Sequence, residues 1–230
     1  MDKEIRKVLA FVKACEALKN EHRAARTSKG KKESIAEHSW RLTVLVMLFQ
    51  KEYSQELNLE KMLAMSLIHD LGEALQGDIP APKKQFLPNA DQYEDRDFKE
   101  MVSLLPNSSQ TALLKLWEEY NGQESKEAQL VKALDRIESA LQHNEGVNPK
   151  DFDYDFALQY GLKECSINPS TMALRSLIAA ETKEIIMKNS RPKRWFPVKY
   201  IINTPIYRLQ SVQIALRLGL SVTSLFSFIN

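Results

Sequence analysis

The chain has 230 residues, 43% of them hydrophobic, enough to bury one good core in a single domain followed by a tail. Its 32 basic and 30 acidic side chains leave a formal charge of +2, which argues for a surface of mixed sign and against nucleic acid as the partner. Two cysteines, Cys15 and Cys165, make neither a disulfide framework nor a zinc ribbon, and the stretch Met1 to Lys7 holds no apolar signal core, so a cytoplasmic protein with reduced thiols is expected.

Helices dominate the expected architecture. Only seven glycines occur, and apolar residues recur at intervals of three and four, first as Ile5, Val8, Leu9 and Val12, then as Leu42, Leu45, Val46 and Phe49. Ser34 as N-cap with Glu37 three residues on forms a capping box; it opens a helix running to about Tyr53 and puts His38 in the first turn. A helix from about Leu59 to Ala74 turns Met62, Leu63, Ser66 and Leu67 inward, carries His69 and Asp70 in its last turns, and is ended by Gly77-Asp78-Ile79-Pro80. Asp91 to Leu105 reads as charged and amphipathic, and Ser108 to Tyr120 as a short helix. Ser125 to about His143 is a longer helix with Leu130, Ala133, Leu134, Ile137 and Leu141 inward and Asp135 beside that stripe. Ser170 to Lys188 forms a further helix, and neither a strand pattern of useful length nor an internal repeat is present. The fold class is therefore all-α, with residues 1–190 as the folded body. From Arg191 onward the basic residues Arg191, Lys193, Arg194, Lys199, Arg208 and Arg217 stand without any Asp or Glu, which sets 191–230 apart as a basic C-terminal extension. Its apolar stretch Leu209 to Ile229 carries Arg217 and is a poor membrane span, leaving a packing element, a dimer contact, a disordered tail, a lid or a surface anchor as its role.

The sharpest chemical feature is His69-Asp70 at the end of an apolar helix. An imidazole and a carboxylate there can turn toward one point outside the helix, the mix of nitrogen and oxygen ligands that a divalent metal takes. The same dipeptide also suits a plain helix C-terminus with His69 near the dipole's negative end. His38 stands at the start of a helix with a strongly apolar face, as a ligand or as a capping or core histidine. His22 and His143 read as surface residues, His143 closing its helix. Asp135, flanked by Leu134 and Ile137, is nearly buried and needs a metal, Arg136 or an interhelix salt bridge to stay charged. Glu73, four residues after His69, lies on the same helical face, where a general acid or base would serve. Asp78, beside the flexible Gly77, either reaches the same cavity or bonds its own turn.

Together, His38, His69-Asp70 and Asp135 resemble the ligand set of the HD-domain metal-dependent phosphohydrolase superfamily. Ala36-Glu37-His38-Ser39-Trp40, Leu67-Ile68-His69-Asp70-Leu71-Gly72-Glu73, Gly77-Asp78 and Ala133-Leu134-Asp135-Arg136 are similar to the branch containing bacterial 5'-deoxynucleotidases. So are Leu104-Leu105-Pro106, Leu116-Trp117-Glu118-Glu119 and His143-Asn144, and the similarity spans roughly residues 5 to 150. The resemblance implies an HD-domain helical bundle around one divalent ion, commonly manganese or cobalt, held by His38, His69, Asp70 and Asp135. It assigns Glu73 and Asp78 to activating water and protonating the leaving group, on a small phosphorylated substrate such as a nucleoside 5'-monophosphate, in an enzyme that forms a homodimer. Phosphate oxygens want cations, and Arg23, Arg26 and Arg41, with Lys31 and Lys32, are nearest in sequence. The nucleotidases carry an Arg-Trp pair upstream of the first metal histidine that helps bind phosphate and discriminate the sugar. Here His22-Arg23-Ala24-Ala25-Arg26-Thr27 supplies arginines but no tryptophan, so deoxyribose selectivity is not implied. Two readings compete: phosphodiester or nucleoside triphosphate hydrolysis by the same four ligands, and a noncatalytic metal-stabilised module that works through partner contact. Glu73 and Asp78, which a purely structural module would not need, count against the second.

Overall fold

A computed structural model describes residues 1–52, 56–84, 86–87 and 89–190. The basic extension at 191–230 lies outside the described residues, as does the expected helix end at Tyr53. Residues Met1–Ile186 cluster as one unit; a second, from Met187 on, falls almost wholly outside the described residues. The chain begins with α1 (Asp2–Ala14), α2 (Ala17–Asn20), a hairpin of β1 (His22–Arg26) and β2 (Lys32–Ser34), then α3 (Ile35–Phe49) and α4 (Leu59–Ile68). It continues through α5 (Ala81–Lys84), α6 (Ala90–Val102), α7 (Asn107–Gly122), α8 (Lys126–Glu145), α9 (Tyr154–Gln159), α10 (Leu162–Cys165) and α11 (Pro169–Ser190). No helix among the described residues is long and apolar enough to cross a membrane.

Local chemistry sets where the site-bearing helices begin. The Ser34 hydroxyl accepts from the Glu37 amide at 3.2 Å while the Glu37 carboxylate accepts from the Ser34 amide at 2.9 Å, the reciprocal capping box expected of the sequence. Asn58 caps α4 by accepting from the Lys61 amide, and Ser125 caps α8 by accepting from the Ala128 amide. Each cap satisfies a helical N–H that would otherwise be orphaned and is worth about 1 kcal/mol. Helices α3, α4 and α8 pack against one another, with α7 against α4 and α8. Their shared core holds Leu42, Val46, Met62, Met65, Tyr120, Leu130, Leu134 and Ile137, each contributing roughly 1.5–3 kcal/mol through burial. A second cluster gathers Leu18, Ile35, Leu71, Phe98, Met101 and Trp117, the Phe98 and Trp117 rings stacked 4.1 Å apart.

The structure departs from the sequence expectation in three places. First, α4 stops at Ile68, and a 3₁₀ turn, Leu71–Ala74, replaces the last turns of the expected helix. Asp70 takes φ −108° and ψ 15°, between the helical and extended regions, so the chain bends at the residue that ends the His-Asp pair. The buried face of α4 is Met62, Met65 and Ser66, with Leu63 partly buried against the core, while Leu67 is 55% exposed; Met65 thus takes the inward place expected of Leu67. Second, residues 22–34 form a short antiparallel hairpin, with His22 opposite Ser34 and Arg26 opposite Lys32. Strands this short, without β-branched residues in β1, leave no alternation to read. Third, the stripe Ile5, Val8, Leu9 and Val12 of α1 is exposed, and the helix instead rests on the second cluster through Phe11 and Ala14.

The 3₁₀ turn is held by a close approach to α6. A Cβ on Gly72 would stand 2.4 Å from the Glu94 carbonyl oxygen, a contact with backbone that no rotamer change relieves. Gly72→Ala is therefore expected to cost about 3 kcal/mol, read as a lower urea midpoint with an unchanged slope.

Candidate metal centre

Three elements converge on one point. His38 comes from the first turn of α3, His69 and Asp70 from the bend after α4, and Asp135 from the middle of α8. His38 is fully buried, and His69 and Asp135 are each 4% exposed. The Nε2 atoms of His38 and His69 stand 3.2 Å apart. Asp135 Oδ1 lies 3.3 Å from His38 Nε2 and 3.9 Å from His69 Nε2. Asp70 Oδ2 lies 3.0 Å from His69 Nε2 and 3.6 Å from His38 Nε2. Ligands about 2.1 Å from a common ion stand roughly 3.0–3.5 Å apart at right-angled or tetrahedral geometry, so the separations of 3.0, 3.2 and 3.3 Å suit a single cation, while those of 3.6 and 3.9 Å lie just beyond that range.

The far side of each ring settles which nitrogen faces the centre. His38 Nδ1 meets the Glu138 carboxylate, which also accepts from Arg41 and is held below the usual carboxylate range. Burial alone would push Glu138 up; His38 and Arg41 outweigh it. His69 Nδ1 lies 3.0 Å from the Ser66 carbonyl oxygen. Both partners can only accept, so both Nδ1 atoms donate and both Nε2 lone pairs point at each other and at two carboxylates. Acceptors gathered around one point call for a cation there, and the nitrogen and oxygen donors fit a divalent transition metal. Without metal a proton takes that part. Burial and Arg23 disfavour charge on His38, but Glu138 and Asp135 prevail and raise its pKa to about 9. His38, His69 and Asp135 bring their donor atoms within 4.8 Å of one another.

Charged neighbours hold the two aspartates ionised. Burial pushes the Asp135 carboxyl up, yet Arg136, His38, Lys132 and His69 hold it well below the usual range. Arg136 Nη1 is 3.3 Å and Lys132 Nζ 3.7 Å from Asp135 Oδ2, leaving Oδ1 toward the histidines. Asp70 is likewise depressed, burial being outweighed by His69, His38 and Arg23. Arg23, on β1, donates to Asp70 Oδ2 at 3.1 Å and to Ser139 Oγ at 2.8 Å.

Glu73 and Asp78 sit in the same electrostatic environment, and both are shifted upward where Asp70 and Asp135 are shifted downward. Glu73 is buried, its Oε2 lacks a hydrogen-bond partner, and burial followed by Asp70 and Asp78 raises its pKa well above the usual value. Asp78 is also raised, by burial and then Asp70, against Arg23, His38 and a hydrogen bond from the Ala24 amide. That amide belongs to β1, so Asp78 ties the loop after Gly77 to the hairpin.

The other sequence candidates are placed elsewhere. Arg26 donates to the Gly30 carbonyl at 2.9 Å, and Arg41 to Glu138 at 2.7 Å and Glu145 at 2.6 Å. Lys31 pairs with Glu37, and Lys32 is exposed. His22 is exposed as expected, but His143 is half-buried beneath Phe152 with its Nδ1 3.2 Å from Asn148 Oδ1. Glu33, Glu138 and Ser139 were not singled out from the sequence. Glu138 could have been, since it follows Asp135 by one turn on the apolar face and poses the same buried-carboxylate problem.

The chain is 37% identical to a 5'-deoxynucleotidase of Bos taurus over 117 residues, which is 50% of this chain and 55% of that protein. It is 32% identical to one of Dictyostelium discoideum over 141 residues, 58% of this chain and 74% of that protein. The chain spans about half the length of the vertebrate relatives it matches. In fold it is similar to a crystal structure described as a metal-dependent phosphohydrolase from Magnetospirillum magnetotacticum, with a TM-score of 0.61 and 21% identity over 81% of this chain and 97% of that one. The model of the HD domain matches residues 15–174, and with the helical fold and the His-Asp centre now in place, this chain belongs to the HD domain family.

Proposed function

We propose that the chain is a metal-dependent phosphomonoesterase acting on nucleoside 5'-monophosphates. The observation that carries the reading is the pair of Nε2 lone pairs 3.2 Å apart between Asp70 and Asp135, with the buried, unpartnered Glu73 on the turn that follows. The relatives named 5'-deoxynucleotidases supply the substrate class. His38, His69, Asp70 and Asp135 would hold one divalent ion, manganese or cobalt being the first choices. Bound there, the ion supplies a water of lowered pKa and neutralises phosphate oxygens. Arg23, already aimed at Asp70, offers its guanidinium to a nonbridging oxygen. Glu73, its pKa raised by burial and then by Asp70 and Asp78, gives its proton to the departing alkoxide, and Asp78 takes one from the attacking water. Residues 1–190 form the catalytic body. A cytoplasmic setting, in keeping with the free thiols Cys15 and Cys165, and a homodimer complete the reading.

The test is phosphate release from ribo- and deoxyribonucleoside monophosphates, with a diester and a triphosphate alongside, by metal-stripped protein resupplied with manganese, cobalt, magnesium or zinc. Metal-dependent release from monophosphates, lost in Asp70→Ala, is expected. Release only from the diester or triphosphate would replace the reading by one of those activities, and silence from folded, loaded protein would remove it.

A further inference from the structure

We infer that Glu138 is a positioning residue for the metal centre, holding His38 in the tautomer and orientation that aim Nε2 at the ion. The inference rests on the metal reading above. Glu138 is fully buried on α8, one turn beyond Asp135, so a single helix supplies both a ligand and the group that orients a second ligand on another helix. Its two oxygens are both engaged: Oε2 accepts from His38 Nδ1, and Oε1 accepts from Arg41 Nε at 2.7 Å. Arg41 stands three residues after His38 on α3 and also donates to Glu145 at 2.6 Å, so the carboxylate is fixed from both ends.

The arrangement is costly if it only joins two helices. Glu138 shares its surroundings with a second buried carboxylate, Glu33; with His38 their donor atoms lie within 4.8 Å of one another. Helices α3 and α8 already pack through Leu42, Val46, Leu134 and Ile137, and apolar side chains commonly replace buried ion pairs without loss of stability. What an apolar residue cannot do is hold a proton donor at Nδ1. The two histidines also differ: His69 leans on the neutral Ser66 carbonyl, His38 on a carboxylate. A charged acceptor makes the imidazole the better electron donor to a cation, so His38 is the ligand whose strength is tuned from behind.

Isothermal titration of metal-stripped full-length protein with Mn²⁺ tests this, with circular dichroism to establish that each variant is folded. Glu138→Gln keeps the volume and removes the charge; binding about 10- to 100-fold weaker than the parent is expected. A folded variant that binds Mn²⁺ within twofold of the parent would overturn the inference while leaving the metal centre standing, whereas a parent that binds no ion would overturn the metal reading itself. Should the single variant not fold because Arg41 is stranded, the double variant Glu138→Gln with Arg41→Gln faces the same criterion. On the unmodified protein, ¹⁵N-histidine spectra of the Zn²⁺-loaded form should show His38 protonated at Nδ1 and metal-bound at Nε2; the reverse assignment would also overturn it. A residue serving only as an interhelix brace would lower the melting temperature and leave both readings unmoved.

Discussion

Stripping the divalent ion is expected to lower the melting temperature by roughly 10 °C. An ion present at about 1,000 times its dissociation constant adds about 4 kcal/mol to the folded state, and a domain of this size shifts by roughly 2–4 °C per kcal/mol. The shift should widen with pH. In the metal-free protein the cation's place falls to protonated His38, whose pKa rises from 6.5 to about 9 on folding. A group raised in this way lends its stability fully below its unfolded pKa and loses it as pH climbs through the folded value. The stripped protein should therefore be more stable near pH 6 than near pH 9. Metal binding runs the other way, because the ion competes with protons for the same lone pair. Calorimetric scans of stripped and loaded protein across that range decide the matter: parallel curves would mean that His38 does not face the ion.

Glu73→Gln is expected to lower kcat by about 100- to 10,000-fold while metal content stays the same. The carboxyl has an oxygen without a partner, and burial followed by Asp70 and Asp78 raises its pKa well above the usual carboxylate value, a shift that favours a proton donor. Glutamine preserves its shape and cannot release a proton to an alkoxide. Substrates with progressively better leaving groups should narrow the deficit, since a good leaving group needs less help. A uniform deficit across leaving groups would assign Glu73 to holding substrate, and loss of metal with the activity would make it a ligand.

The legible parts of this molecule are those written locally. Ser34 and Glu37 specify the start of α3 through hydrogen bonds three residues long, and that start fixes the turn that bears His38. The run from Leu130 to Ile137 identifies α8 because its stripe repeats at helical spacing, and Asp135 stands out against it. The bend at Asp70 was not legible, because it depends on Gly72 meeting a carbonyl of α6 some twenty residues away. Arg23 could be named as a candidate but not ranked above Arg26 and Arg41 until the hairpin had turned it toward Asp70. Glu33 carried no signal; a carboxylate just before an N-cap is ordinarily a surface residue, and its burial comes from the packing of the hairpin on α8.

One consequence of α8 concerns how the chain can vary in length. Asp135, Glu138, Ser139 and Gln142 reach, in turn, the Nε2 atoms of His38 and His69, the Nδ1 atom of His38, Arg23 and the Arg26 carbonyl, all from one uninterrupted helix. Inserting a single residue between Lys132 and Asp135 would rotate everything on one side of it by about 100° and slide it 1.5 Å. The four engagements would then be lost together or kept together relative to the apolar stripe, with no intermediate. Insertions and deletions should consequently be tolerated in the connections, such as the stretch between α8 and α9, while the interior of α8 admits exchange of side chains but not change of count.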